Sequence, residues 1–297
     1  MNYAIGIDLG GTRIKTVAVH ADGRTLSEMT LDFDPAEAMD WAEKIRGLVH
    51  KIQTQCGTAA THLGLAAPGL AAADGRSIAH LPGRLHGLEG LDWTNFLAFS
   101  TTVPVLNDAH AALLGEVWRG AAKGFQNVIM LTLGTGVGGA ACVDGRLLRG
   151  HIGRAGHLGH SSLDPNGPVD ITRMPGSLEM AIGNCTIGER SNGRFQTTHD
   201  LVKAHLAGNA EATGIWLKSV RELACAIGSF INILDPEAVI IGGGIARSGK
   251  ALFDPLERLV DEIEWQPGGH RARILPAQLG EMAGAFGAAF NALEPRT

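Results

Sequence analysis

No cluster of lysine or arginine runs through this sequence, and no apolar run is long enough to cross a bilayer. With 25 basic against 30 acidic residues and a formal net charge of −5, nothing recommends nucleic acid or an anionic membrane as a partner. Nor is a leading secretion signal expected from the first residues. Cysteine is scarce: Cys56, Cys142, Cys185 and Cys225 fall without a pairing pattern. The small apolar neighbours of Cys142 and Cys225 suit reduced, buried thiols, so a cytoplasmic location is expected.

What is present is glycine, at 41 residues, gathered at turns and not in low-complexity tracts. The 297 residues fit two domains, and 45% hydrophobic with 19% charged content describes an ordinary globular chain. At the start, YAIGIDLGGTRIK (Tyr3 to Lys15) reads as a buried strand, Ala4 to Ile7, that delivers Asp8 to its end. Leu9 to Thr12 turn the chain, and Ile14 to Val19 form a second strand. Gly10 and Gly11 leave no side chain in the way, so a phosphate can lie against main-chain N–H groups and the Thr12 hydroxyl. Asp8 beside it suits Mg²⁺ held through water, because that ion keeps most of its hydration shell. A Gly-Gly hairpin by itself is more often only a hairpin. This one has an echo in mid-chain, VIMLTLGTGVGG (Val128 to Gly139), with Gly134, Thr135 and Gly136 at the turn. Two such hairpins suggest two related domains facing each other across a nucleotide.

The remaining pattern alternates strands and helices. Leu26 to Phe33 reads as a strand, and Asp34-Pro35 starts a helix whose apolar face runs Ala38, Trp41, Ala42, Ile45, Leu48, Val49 and Ile52. His62 to Ala66 is the next strand, Asp74 to Trp93 an irregular surface loop, and Trp93 to Phe99 the start of a helix. Val103 to Leu106 is a short strand ending in Asn107-Asp108, before a helix from Ala109 to Arg119. Asn and Asp there are favoured helix caps, which is the default reading of the pair. Thr186 to His199 is polar, as a lid or insertion would be. A helix from Asp200 to Leu206 precedes a longer one, Glu211 to Leu234, with Ile215, Leu217, Val220, Leu223, Ala224, Ile227 and Ile231 on its apolar face. Glu237 to Ile241 is a buried strand feeding Gly242, Gly243 and Gly244, followed by a helix from about Ser248 to Ile263. A last strand, Ala272 to Leu275, and a small-residue helix, Glu281 to Leu293, end the pattern.

The strings DLGGTRIK, LNDAHAA, LTLGTGVGG, GRAGHLGH and VIIGGGIA, in that order and spacing, resemble the ROK family of sugar kinases, within the actin-like ATPases. The resemblance implies an α/β chain of two actin-like (ribonuclease H-like) domains with a cleft between them. The smaller would be 1–107 plus about 281–297, and the larger 108–280. It implies γ-phosphate transfer from Mg-ATP to a hexose or hexose-like hydroxyl, with Asp108 taking the proton and Asn107 bonding the sugar. Gly75, Arg76 and His80 would also face the sugar, His80 standing where the family commonly has Asn. Asp8, Gly10, Gly11, Thr12, Lys15 and the Gly134, Thr135, Gly136 turn would hold the nucleotide. Gly242, Gly243 and Gly244 would lie against its adenosine. The helix from Glu281 would cross back to the first domain, and a cytoplasmic homodimer is implied.

The family motif Gly-Glu-x-Gly-His, followed by CxCGxxGCxE, is altered here to GHLGHSSLDPNGPVDITRMPGSLE. By resemblance Glu and His hold sugar hydroxyls, and His with three Cys binds a structural zinc. Here His157 replaces that Glu, His160 and Glu179 are kept, and no ligand cysteine remains, the last being Ser177. Structural zinc sites are almost always closed and four-coordinate, so no zinc is expected, although His157, His160, His151 and Asp164 lie close in sequence. The loop Asp164 to Pro175 would then be held by proline and local packing. A carboxylate only accepts hydrogen bonds whereas neutral imidazole accepts one and donates one. If His157 does not merely pack, the pocket reads a different hydroxyl pattern, an acceptor or a negative charge. Two rival readings follow. One is a non-catalytic ROK-type sugar-binding regulator; such repressors carry an N-terminal DNA-binding domain, whereas the first strand here starts at Tyr3. The other is an ATPase acting on a protein partner, against which the GRAGHLGH and GSLE strings favour a small-molecule pocket.

Overall fold

The computed structural model describes residues 2–294; Met1 and residues 295–297, which the expected domain ranges include, lie outside the described residues. The chain runs β1 (Tyr3–Leu9), β2 (Arg13–His20), β3 (Thr25–Asp32), α1 (Asp40–Cys56), β4 (His62–Ala67), β5 (Leu70–Ala71), β6 (Ile78–His80), α2 (Trp93–Phe96), β7 (Val105–Asn107) and α3 (Asp108–Arg119). It continues as β8 (Val128–Leu133), β9 (Val137–Val143), β10 (Arg146–Leu147), α4 (Leu178–Ile182), α5 (Ile187–Arg190), α6 (Thr198–Leu206) and α7 (Ala210–Leu234). Then come β11 (Ala238–Gly242), α8 (Lys250–Ile263), β12 (Arg273–Pro276) and α9 (Ala283–Leu293). Short 3₁₀ turns fill several of the joins, among them Leu158–His160 and Ile245–Ser248.

Packing divides the chain into two compact units: Met1–Gly124 with Leu147–Ala155 and Gln278–Thr297, and Phe125–Arg146 with Gly156–Ala277. The boundary expected after Asn107 is therefore displaced. Helix α3 stays with the first unit because it packs on α9, where Gly115 and Gly287 bring the two backbones too close for a methyl on either. The two sheets repeat one plan. In the order β3-β2-β1-β4-β7 the first three strands are antiparallel and β4 and β7 run parallel to β1. In the order β10-β9-β8-β11-β12, β9 is antiparallel to β8, while β11 and β12 are parallel to it. The echo of hairpins in the sequence is thus an echo of sheets.

Strand β1 is buried along its whole length, so both of its faces are covered. At the strand period of two, Tyr3, Ile5, Ile7 and Leu9 pack into one core with Trp41, Ile45 and Ile52 of α1. Ala4 on the other face joins Val17 and Val19 of β2 against Ala285, Phe286 and Ala289 of α9. Gly6 and Gly64 on that face meet the α9 backbone at distances no Cβ would allow, so the helix lies directly on the strands. The same alternation turns Asp8 toward α9.

Several local expectations are corrected. Helix α1 begins at Asp40, not at Asp34-Pro35, because Asp34 folds its own turn through Ala36 N–H and Met39 takes a φ of 62°. The stretch 74–93 is not wholly irregular, since β6 pairs antiparallel with β5. Strands of two and three residues leave no period to read. The polar stretch 186–199 is anchored, with Arg190 donating to Gly183 O at 2.9 Å and to Ser219 Oγ of α7 at 2.7 Å. Cys142 is buried as expected, but Cys225 is exposed on α7, two residues past Leu223 and so about 200° round the helix from that buried position.

Candidate active site

In the first unit the Gly10-Gly11 turn, two carboxylates and two cations are supplied by the β1–β2 hairpin, the β7–α3 junction and the loop that carries Arg84. Strand β1 hands Asp8 to the turn, and the β1–β2 register sets Lys15 opposite it, Nζ 3.4 Å from Asp8 Oδ2. Gly284 of α9 lies against the Asp8 carboxyl with no room for a side chain, and Asp8 is buried. Burial pushes the Asp8 pKa up to about 6; Lys15 pulls it back, and Asp108 adds to the rise. Gly10 N–H closes the turn onto Arg13 O at 2.8 Å.

At the end of β7 the two candidate caps separate their roles. Asn107 is the N-cap of α3: its Oδ1 accepts from Ala109 N–H at 2.9 Å and His110 N–H at 3.3 Å. Its Nδ2 donates to Gly69 O at 3.0 Å. Asp108 is the first helical residue, and its Oδ1 accepts from Ala109 N–H at 2.8 Å. The residue is open to solvent at its surface but set among dense protein, and burial pushes its pKa up. The Ala109 and Asn107 bonds and the Arg84 charge pull it back. The cap that would have explained Asp108 is thus supplied by its neighbour.

Arg84 was not singled out from sequence. Its guanidinium reaches the Gly10-Gly11 turn, with Nη2 2.9 Å from where a Cβ on Gly11 would sit, and its charge is felt at Asp108. Only the fold of the 74–93 stretch brings it there. In that same stretch Gly75 O accepts from Val105 N–H of β7 at 2.7 Å. His80 is exposed on β6, its Nδ1 3.7 Å from Glu89 Oε1. Arg76 is tied to Asp92, the α2 N-cap, at 2.8 Å. The exposed Thr12 completes the first turn.

The second unit holds its own group. Gly134 N–H closes the second turn onto Gly136 O at 2.9 Å, and Glu179 Oε2 accepts from Val137 N–H at 3.0 Å. Gly136 has no room for a side chain beside that carboxylate. A cavity of about 840 Å³ is lined by Gly134, Thr135, Asn184, Lys203, Gly244 and Arg247 among others, a size that suits a nucleotide-sized ligand. Of the three glycines at the end of β11, Gly244 lines this cavity. Gly243, at φ 87°, and Gly242 lie on β8, where the Leu133 backbone and Met130 leave no space for more. His157 is half-buried, and burial, with His160 beside it, lowers its pKa.

The family model described as ROK family matches residues 4–294. This chain belongs to the ROK family. A glucokinase of Thermotoga maritima is 33% identical over 96% of this chain and 95% of its own. The structure of a ROK hexokinase from Thermus thermophilus superposes with a TM-score of 0.87 at 29% identity, covering 98% of this chain and 97% of that one. A ROK glucokinase from Streptomyces griseus, in complex with glucose and AMPPNP, gives a TM-score of 0.77 at 27% identity over 98% and 99% of the two chains. With the ROK family comes its fold, two actin-like domains of mixed α/β structure.

The ROK zinc does not fit the residues present. His160 Nδ1 is engaged by Asp170 Oδ2 at 2.8 Å, and Ser177 stands at the last cysteine position. No group of three or more His, Cys, Asp or Glu side chains that could hold a metal occurs among the described residues. The loop from Asp164 is held by backbone bonds such as Gly176 N–H to Pro168 O and by the Asp170 carboxylate, which has no signal of its own in the sequence. Burial works to raise the Asp170 pKa, but bonds from Thr172, His160 and Met174 outweigh it and hold it at about 2. Magnesium is a different case, since buried Asp8 with Asp108 nearby offers the one or two carboxylates a hydrated Mg²⁺ takes beside substrate phosphates. Among the described residues no helix is long and apolar enough to cross a membrane.

Proposed function

We propose that this ROK protein transfers the γ-phosphate of ATP to a hydroxyl of a hexose or hexose-like substrate, with Asp108 as general base. The class of reaction is that of its curated relatives. The observation that carries the assignment is the group in the first unit: a carboxylate relieved of capping duty, beside a phosphate turn, a second buried carboxylate, Lys15 and Arg84. Phosphoryl transfer asks a protein for positioning and charge stabilisation more than for covalent chemistry. Gly11, Thr12 and the N–H groups of their turn would receive phosphate oxygens, with Lys15 and Arg84 supplying positive charge. Asp8 would hold Mg²⁺ through water, and the bound ion would neutralise phosphate charge.

In the second unit the cavity that joins Gly134, Thr135 and Gly244 would take the nucleotide. Glu179 props the Gly134 to Gly136 turn with one oxygen and keeps the other for a substrate hydroxyl. Asn107 fixes the start of α3 through Oδ1 and Nδ2 and would border the sugar beside Asp108. Gly75, Arg76 and His80 would border the sugar from the 74–93 stretch, and His157 and His160 would read its hydroxyls. A raised pKa suits Asp108 to its task, because a base works best when its pKa lies near the operating pH. By resemblance the protein works as a cytoplasmic homodimer, which light scattering on the purified protein checks.

The test is ATP consumption against hexoses, N-acetylhexosamines, polyols and sugar acids, for the wild type and Asp108→Asn. Sugar-dependent ADP release that the variant loses supports the reading. Sugar binding without turnover by the intact wild type would turn the assignment toward a regulator.

A further inference from the structure

His160 ends the 3₁₀ turn Leu158–His160, and its ring is mostly but not wholly covered, at 23% side-chain exposure. Asp170, ten residues on, has no exposed side-chain surface. Its two oxygens are used differently. Oδ2 faces His160 Nδ1 at 2.8 Å, while Oδ1 accepts from Thr172 N–H at 2.8 Å, Thr172 Oγ1 at 2.7 Å and Met174 N–H at 3.0 Å. The backbone closes over the same point, with Asp170 N–H on Met174 O and Arg173 N–H on Asp170 O, each at 2.9 Å. Gly176 N–H on Pro168 O at 2.8 Å completes the loop. One carboxylate therefore gathers the loop and the histidine, the two parts that the zinc motif would have joined.

A carboxylate offers only acceptors, so His160 must carry its proton on Nδ1 to meet Oδ2. In its neutral form the imidazole then presents Nε2 as a lone-pair acceptor. We propose that Asp170 replaces the structural metal of the loop and acts as a positioning residue, fixing His160 in the Nδ1–H tautomer so that Nε2 accepts from a substrate hydroxyl. The role toward substrate rests on the kinase reading; the tautomer and the metal independence do not.

Asp170→Asn is the informative substitution. Three donors point at the Oδ1 position, so the amide oxygen must stay there and the amide NH₂ must face His160. Nδ1 is then forced to accept, and the proton moves to Nε2. The measurement is a long-range ¹⁵N–¹H correlation on the full chain labelled at histidine nitrogen, above the histidine titration range, with His160→Gln identifying the signals. The wild type is expected to show Nδ1–H at His160, and Asp170→Asn to exchange the two nitrogens' shifts. Thr172→Val, which removes a donor from Oδ1 without touching the ring, should lower Tm by a few degrees and keep Nδ1–H. Excess zinc or a chelator should leave the wild-type Tm within about 1 °C. Nε2–H in the wild type overturns the proposal even if Asp170→Asn fails to fold, as does an unchanged tautomer in that variant. A Tm that rises with zinc and falls with chelator overturns the replacement of the metal. None of these readouts needs a sugar, so they fail or succeed apart from the kinase assignment.

Discussion

Asp8→Asn removes a buried negative charge while keeping nearly the shape of the protonated acid. Asp8 has 11% of its side chain exposed, with Lys15 3.4 Å away, and its pKa stands at about 6 against an ordinary 3.8. That difference corresponds to ~3 kcal/mol, already net of the Lys15 attraction, and this is an upper figure for the cost of ionising Asp8 in the fold. The sign follows from proton counting. Between pH 3.8 and about 6 the folded state holds a proton that the unfolded chain has released, so stability falls as pH rises through that window and is flat above it. The variant lacks this step. It should match the wild type near pH 4 and exceed it by ~2–3 kcal/mol at pH 7.5. Urea midpoints at pH 4, 6 and 7.5, with Mg²⁺ and nucleotide removed, make the comparison, each transition being followed separately if the two units unfold apart. Turnover should move the opposite way, falling by about 10²-fold or more as the Mg²⁺-holding charge is lost. A variant with the wild-type pH slope, or no added stability at pH 7.5, would refute the claim that the fold holds Asp8 ionised at a cost.

Asp108→Asn should lower kcat by about 10²–10⁴ while the melting temperature barely changes, since Asn107 and not Asp108 caps α3. Wild-type turnover in that variant, measured on the acceptor found by the screen, would end its assignment as base. Arg84→Gln should reduce turnover, leave the fold intact, and move the acidic limb of the pH–rate profile upward, because its charge pulls the Asp108 pKa down. An unmoved limb would place Arg84 outside the site. At His157, burial favours the neutral ring, which both donates and accepts. Glucose and N-acetylhexosamines should be poor acceptors, and His157→Glu should improve at least one of them by about five- to 150-fold in kcat/KM, the worth of one buried polar partner. Good glucose turnover that the substitution leaves unchanged would mean the ring only packs.

Sequence by itself determined the elements whose signals are local. The two Gly/Thr turns between apolar runs fixed both hairpins, and their likeness foretold two sheets of one plan. The 3.6-residue period placed the buried face of α1 from Trp41 to Ile52, and the small residues of α9 signalled close packing. The five strings identified the family and most candidate residues, because a phosphate turn needs glycine wherever it occurs. The rest was decided by contacts between residues far apart in the chain, which no local period encodes. Either Asn107 or Asp108 could cap α3 on sequence grounds; the strand end at β7 and the bond to Gly69 gave the cap to Asn107. Arg84 had no signal of its own until β5 and β6 paired and swung its loop to Gly11. Asp170 was one acidic residue in a polar loop until that loop turned its carboxylate onto His160. The domain boundary, too, came from packing, because α3 is held by α9, which lies more than 150 residues later and meets it only in the folded chain.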